Sequence, residues 1–483
     1  MRSDASRSDL LAARDRRAAL IGDLGARRTG DGFPDPPRAL VFASLAIPGP
    51  DKSPGGAGVA LARGVEVLRL ALARHSPEEL DRGADALGPW AALAVAAGPE
   101  AVKRLAVGLE ASLPFGRLLD LDVYGGDWQP ADRAALGLPP RPCLVCPEPA
   151  RECIVLRRHT AAELAARVAA ILAPLGPGSC VAASLAAALV RGAREELDLT
   201  PKPGLVDRHD SGSHPDLTYD GMARSAELLP LYFDELVALR GPDCGGAVAG
   251  RAADIGDAHS GLSACVAAGQ RAEVRMQRAA GSNAHRGLIF LGGLAVLAAC
   301  DACRDGAPAD GSELRPRVAD LAREFCGLSA PGEEHSPGAR ARREHGVRGV
   351  LGEALAGLPS VFGAGLPAYR AMLAARGDPR RAALCAMAAL MGCVEDTTAL
   401  HRGGQAGIER LRADGARLAA LLDAGDEPDA LLLRWNDDYR RTGLPMGGVA
   451  DCLALTLAFA AWEPGPRVPS ADARRAVREA PSG

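Results

Sequence analysis

The chain has 483 residues, 48% apolar and 24% charged, with 56 basic side chains against 60 acidic ones and a formal net charge of −4. That length allows two or three domains with full-sized cores and excludes a small stapled fold; the composition excludes a disordered or fibrous chain. The near balance of charge excludes a generally basic nucleic-acid coat.

Taken in chain order, residues 39–47 (ALVFASLAI) read as a strand that stops at Pro48-Gly49-Pro50. Helical spacing follows over 58–74, a second strand over 90–97, a helix over 99–112, and a third strand over 118–124, where LLDLDVY alternates. Strands mixed with helices predict an α/β or α+β domain. After about Leu175 the pattern changes to long Ala/Leu helices without a recognisable strand, which predicts an all-α domain. The turn at 174–178 is the natural boundary. The expected layout is a multidomain chain with an N-terminal domain over 1–175, an all-α domain over 180–465 and a loose tail over 466–483.

The apolar run 288–300 contains a glycine pair and is shorter than a bilayer span requires, so no membrane segment is expected. Asp4, Asp9 and Asp15 among the first arginines fit neither a secretory signal nor an acid-poor transit peptide, and the twelve cysteines read as reduced thiols. The cytoplasm is the expected location. Lysine is nearly absent: Lys52, Lys103 and Lys202 are the three in the chain. An ammonium is a compact point charge and a guanidinium is a flat fork, so these positions are where a phosphate contact is first sought.

Several clusters could carry chemistry. Lys52 follows the rigid turn after the first strand, as a phosphate contact or as a solvated loop residue. Asp120 and Asp122 are two apart in a strand and therefore share a face, which suits Mg²⁺ shared with substrate phosphates, or is simply an exposed strand face. Cys143, Cys146, Cys153 and His159 are four soft ligands within seventeen residues. The first pair has zinc spacing and the second matches no common zinc motif, so a zinc site and a loop with buried thiols both remain open.

In the helical half, Glu196 and Asp198 precede a stiff Thr-Pro-Lys-Pro-Gly turn ending at Asp207, with His209, Asp210, Ser211, His214 and Asp216 close behind. Asn283-Ala284-His285-Arg286-Gly287 sits at the start of an apolar helix, where free N–H groups favour anions. Glu395-Asp396-Thr397-Thr398, His401-Arg402-Gly403-Gly404 and Gly447-Gly448-Val449-Ala450-Asp451 repeat the combination of acids, bases and glycine turns. Helix caps alone do not require so many polar clusters, and convergence on one pocket is expected.

These residues carry a resemblance. TPKPGLVD at 200–207, NAHRG at 283–287, EDTTALHRGG at 395–404 and GGVAD at 447–451 resemble the motifs of the ATP:dephospho-CoA triphosphoribosyl transferase family, over about 182–462. IPGPDK at 47–52, GRLLDLDV at 116–123 and RPCLVCPEPARECIVLRRH at 141–159 resemble the apo-citrate lyase phosphoribosyl-dephospho-CoA transferase family. The two likenesses in this order resemble a fusion of consecutive enzymes, with a nucleotidyltransferase-like domain first.

The resemblance implies two reactions. Dephospho-CoA would attack the ATP ribose and expel adenine, and the product would then pass to a serine of the citrate lyase acyl carrier protein with loss of pyrophosphate. It implies phosphate or substrate contacts at Lys202, Asn283, His285, Arg286, Arg402, Gly403, Gly447 and Gly448. Base or metal roles fall to Glu196, Glu273, Asp396 and Asp451, with the identity of the base left open. In the first domain it implies Mg²⁺ on Asp120 and Asp122, with Lys52 or Arg117 at the pyrophosphate. No nucleic-acid or membrane partner is implied.

The sequence departs from the family pattern at Thr218, Ala284, Arg286, Leu351 and Met446. Three alternatives stand beside this reading: the same chemistry for another acyl carrier, such as that of malonate decarboxylase; a nucleotide-binding assembly protein without turnover; and a zinc-containing nucleic-acid adaptor.

Overall fold

The computed structural model describes residues 7–29, 39–125, 129–176, 180–240, 258–281, 285–328, 347 and 349–462. The expected tail at 466–483, Asn283 and Ala284 lie outside the described residues. The chain divides into two compact units, the first ending at Cys180 and the second beginning at Val181.

In the first unit β1 (Ala39–Leu45), β2 (Glu78–Asp85), β3 (Gly88–Val95) and β4 (Leu119–Tyr124) form one sheet in the order β2-β3-β1-β4. All neighbouring pairs are antiparallel, which resolves the α/β or α+β expectation in favour of α+β. Three strands lie where they are expected; β2 (EELDRGAD) is not foreseen, and its mostly exposed and half-buried residues follow no alternating pattern.

One sheet face packs on α1 (Arg7–Thr29): Leu40, Phe42 and Ala92 meet Leu20, Ile21 and Leu24, with Phe42 stacked on Trp90 at 5.5 Å. Arg17 pins α1 by donating to both carboxylate oxygens of Asp85 and to the Gly88 carbonyl. The sheet also packs against α2 (Ala57–Ala71) and α3 (Pro99–Ser112).

As an edge strand, β4 has an outer row of N–H and C=O groups to satisfy. Two side chains of α3 do this at Leu121: Lys103 Nζ donates to its carbonyl at 2.8 Å, and its N–H donates to Glu110 at 3.0 Å. Beyond β4 come two short helices, α4 (Ala150–Val155) and α5 (Ala161–Leu172).

The second unit is helical, with no strand among the described residues. Its helices are α6 (Val181–Asp198), α7 (Tyr219–Ala226), α8 (Leu229–Arg240), α9 (Ala258–Ala280), α10 (Arg286–Arg304), α11 (Gly311–Leu328), α12 (Gly349–Leu355), α13 (Leu366–Arg376), α14 (Pro379–Cys393), α15 (Thr397–Ala424), α16 (Asp429–Thr442) and α17 (Gly447–Ala461). Helices α6 and α17 pack closely. A Cβ at Gly192 would lie 2.2 Å from the Ala454 carbonyl oxygen, so only glycine allows the two backbones to approach this far.

The apolar run at 288–300 extends into the 19-residue α10, longer than expected and by length and composition sufficient to cross a bilayer. Most of it is buried within the protein, and thirteen of its residues belong to the helical core. Helix α15 is kinked at Gly404 (φ 61°, ψ −162°), which splits the HRGG segment from the rest of the helix.

Candidate functional site

The Pro-Lys-Pro-Gly turn after α6 is held from both sides. The Lys202 N–H donates to Asp207 Oδ2 at 2.7 Å, and Asp207 Oδ1 accepts from the His209 N–H at 2.7 Å. Gly204, at φ +68°, donates to Asn436 of α16, whose amide donates in turn to Asp210 at 2.9 Å. The lysine therefore points inward. Its side chain is 0% exposed, and Nζ donates to the Glu196 carbonyl at 2.5 Å and to Glu196 Oε1 at 2.6 Å. Burial raises the Glu196 carboxyl above its ordinary value, and Lys202 opposes that rise.

Asp396 caps α15. Its Oδ1 accepts from the N–H groups of Thr398 and Ala399 and from the Thr398 hydroxyl, while Oδ2 accepts from the Val449 N–H at 3.1 Å. One buried carboxylate thus ties the N-terminus of α15 to that of α17. Gly447 N–H donates to the Thr398 hydroxyl at 3.0 Å and closes the junction.

Asp451 lies one turn into α17, with its carboxylate at the N-terminus of α10, where the Leu288 N–H meets it. Burial pushes its carboxyl up to about 8, and the nearby Asp396 and Glu196 add to the rise. His285, just before α10, is 5% exposed; its Nδ1 lies 2.9 Å from the Ser225 hydroxyl, and its Nε2 is buried without a hydrogen-bond partner. Burial and then the Lys202 charge bring this imidazole down to about 4, so it is neutral near pH 7.

The structure thus brings together Glu196, Lys202, His285, Asp396 and Asp451 from distant parts of the sequence. The other expected residues have these surroundings. Glu273 on α9 faces Arg286 at 3.7 Å, and the Arg286 side chain is 56% exposed. Arg402 donates to the Ser213 carbonyl at 2.7 Å, beside His214, whose imidazole burial and then Arg402 both hold down. A Cβ at Gly403 would lie 2.8 Å from Leu444, and one at Gly448 would lie 3.1 Å from Asp396 Oδ2. Ser225 has no motif around it and was missed; no spacing signal marks a lone serine on a helix.

In the first unit, Asp120, Asp122 and Tyr124 share one face of β4, opposite Ser44, Phe42 and Leu40 of β1. Burial and then Asp120 push the Asp122 carboxyl up to about 6, with Lys103 at 4.0 Å opposing. Asp120 accepts from Arg141 at 2.7 Å, and Arg141 also donates to the Leu119 carbonyl. Arg117 donates to the Cys143 carbonyl at 2.5 Å. Lys52 turns back to donate to the Ile47 carbonyl at 2.5 Å, and burial lowers it. The ligand atoms of Cys143, Cys146, Cys153 and His159 all lie within 4.8 Å of one another.

Comparison with known proteins accounts for both units. The family model for ATP:dephospho-CoA triphosphoribosyl transferase matches residues 182–467, and that for apo-citrate lyase phosphoribosyl-dephospho-CoA transferase matches residues 5–174. A probable 2-(5''-triphosphoribosyl)-3'-dephosphocoenzyme-A synthase of Azotobacter vinelandii is 37% identical over 276 residues, covering 56% of this chain and 88% of its own length. The synthase of that name from Klebsiella pneumoniae is 31% identical over 296 residues, covering 60% and 94%. Protein CitXG of Haemophilus influenzae is 29% identical over 371 residues, covering 74% of this chain and 76% of its own. The chain therefore carries both domains in fusion, and with a match over more than half its length it belongs to the ATP:dephospho-CoA triphosphoribosyl transferase family.

Proposed function

We propose that this chain makes and attaches the prosthetic group of citrate lyase. The second unit, assigned to 180–465, joins ATP and dephospho-CoA into triphosphoribosyl-dephospho-CoA with release of adenine. The first, a nucleotidyltransferase-like domain assigned to 1–175, transfers the phosphoribosyl-dephospho-CoA group to a serine of the acyl carrier protein and releases pyrophosphate. The observation that carries this reading is the convergence of half-buried Asp451 with the buried Glu196, Asp396, Lys202 and His285, all within the stretch that the family model matches.

In the first reaction a ribose hydroxyl of dephospho-CoA forms a bond to C1 of the ATP ribose as the bond from C1 to adenine breaks. The hydroxyl proton needs an acceptor, and a carboxylate raised to about 8 is a stronger base than an ordinary one. We assign that role to Asp451. Neutral His285 offers its free Nε2 to a polar group of the substrate, in the orientation fixed by Ser225. Lys202 and Asp396 position the others: the lysine neutralises Glu196, and Asp396 joins two helix starts. Arg402 and Arg286, both exposed and next to the buried group's own segments in sequence, are assigned to the triphosphate.

The second unit fits a protein-held Mg²⁺ poorly, because Asp396 already accepts four hydrogen bonds and Glu273 faces Arg286. The first unit fits better. Asp120 and Asp122 share a face, and the Asp122 carboxyl is raised first by burial and then by the neighbouring Asp120, so a cation placed between the two would relieve part of that rise. These two would hold Mg²⁺, which when bound neutralises charge on the departing pyrophosphate.

Incubating the full chain with ATP and dephospho-CoA and measuring free adenine tests the first step; a folded protein that releases none above background overturns it. Offering the product to the acyl carrier proteins of citrate lyase and of malonate decarboxylase, and weighing each by mass spectrometry, identifies the acceptor.

A further inference from the structure

Residues 129–160 follow β4 and end at the capping box of α5, where Thr160 and Glu163 cap each other. Within this stretch the buried side chains are those of Cys143 and Cys153, while Ile154, Val155 and Leu156 are 74%, 72% and 60% exposed. A segment that buries two thiols and exposes three large apolar side chains has no core of its own to order it, and in such segments a metal commonly replaces the missing core.

The backbone is nevertheless shaped around those thiols. Pro142 and Pro149 form an antiparallel bridge, the Cys143 N–H donates to the Glu148 carbonyl at 2.7 Å, and the Ala150 N–H donates to the Arg141 carbonyl at 2.8 Å. This closes a small knuckle that carries Cys143 and Cys146, in which the N–H groups of Val145 and Cys146 point at the Cys143 sulfur. Helix α4 returns Cys153 to it. After α4, Arg157 adopts a left-handed conformation (φ 47°) that turns the chain ahead of His159.

Cys146 Sγ lies 3.4 Å from Cys153 Sγ and 3.3 Å from His159 Nε2. A disulfide requires about 2.05 Å between sulfurs, so these are thiols in van der Waals contact. Around a tetrahedral zinc with Zn–S near 2.3 Å and Zn–N near 2.0 Å, ligand atoms lie roughly 3.5 to 3.8 Å apart; the two contacts of Cys146 fall just short of that range and the whole set lies within 4.8 Å, so small side-chain shifts suffice to close on an ion.

We propose that Cys143, Cys146, Cys153 and His159 bind one zinc ion in a closed, four-coordinate structural site that orders residues 141–159. Binding displaces the three thiol protons and leaves no open coordination position for substrate, so the ion has no place in the transfer chemistry itself. Its link to the reaction is mechanical. Arg141, at the base of the knuckle, donates to Asp120 and to the Leu119 carbonyl, and Arg117 of the β4 approach donates to the Cys143 carbonyl. The cysteine knuckle and the paired carboxylates therefore hold each other in register.

The test is made on the resting full chain and does not depend on either reaction. Chain purified without chelator is expected to carry about one zinc by elemental analysis. Replacement by Co²⁺ is expected to give intense sulfur-to-cobalt charge-transfer absorption together with tetrahedral visible bands, and Cys146→Ser/Cys153→Ser to lose both metal and bands. Wild-type chain that is folded by circular dichroism yet holds background zinc and develops no cobalt absorption overturns the site. So does mass spectrometry that finds Cys146 and Cys153 joined as a disulfide. Either result leaves adenine release, and hence the function proposed above, untouched.

Discussion

A Cβ added to Gly287 would stand 1.9 Å from Oδ2 of Asp451. The glycine that ends NAHRG is therefore the space into which the acid that ends GGVAD fits, and the start of α10 supplies that acid with the Leu288 N–H. Gly287→Ala should displace the carboxylate and cost stability of about 1–3 kcal/mol, as overpacking does. Adenine release should fall at least as far as in Asp451→Asn. Because both changes act on one group, the double variant should be no worse than the worse single, and additive losses in a double-mutant cycle would break the link.

The pH dependence of adenine release should follow Asp451. With the carboxyl at about 8 in the folded chain, release should climb with pH and level off above that value, and Asp451→Asn should lower the plateau by roughly 10²- to 10⁴-fold, with the loss shrinking toward acid pH. Stability should move the opposite way. A group raised from 3.8 to about 8 binds its proton more tightly when folded, so its contribution is full below 3.8 and is lost as pH rises through 8. Asp451→Asn should thus gain Tm over wild type most clearly at alkaline pH, measured by thermal unfolding from pH 5 to 9.

His285 predicts the reverse slope. Its imidazole falls from 6.5 to about 4 on folding, so its contribution is full above 6.5 and disappears as pH drops toward 4, on the order of 3 kcal/mol across that window. In His285→Gln the acid side of the stability curve should flatten. A slope identical to wild type would mean that the imidazole is not held neutral.

In the first unit, Asp120→Asn and Asp122→Asn should abolish transfer to the carrier while adenine release continues. Loss of both activities would refute the division of labour between the units. Asp120→Asn should also weaken the grip of Arg141, readable as faster thiol alkylation at Cys146.

The sequence was most readable where a single period governed burial. In LLDLDVY the apolar residues face the core and the two acids share the other side, as alternation requires. The edge strand β2 escaped because its residues are mostly half-buried or exposed and leave no periodic trace. Glycine and proline punctuation located the polar clusters of the helical unit, but not the direction of their side chains. Lys202, expected to face a phosphate, instead serves Glu196, because its flanking prolines and Asp207 turn the side chain inward. Spacing also could not reveal that Asp396 would be saturated by donors from two helices, since one of them begins some fifty residues later.

The three lysines share one habit: Lys52, Lys103 and Lys202 each thread an ammonium onto a main-chain carbonyl, at Ile47, Leu121 and Glu196. A guanidinium is broad and flat and would have to wedge apart the very ribbon it was meant to fasten, whereas a slim alkyl stem ending in a small ball slips through. In a chain otherwise furnished with arginine, lysine acts as a rivet, and widening any of these three heads should loosen the seam beneath it.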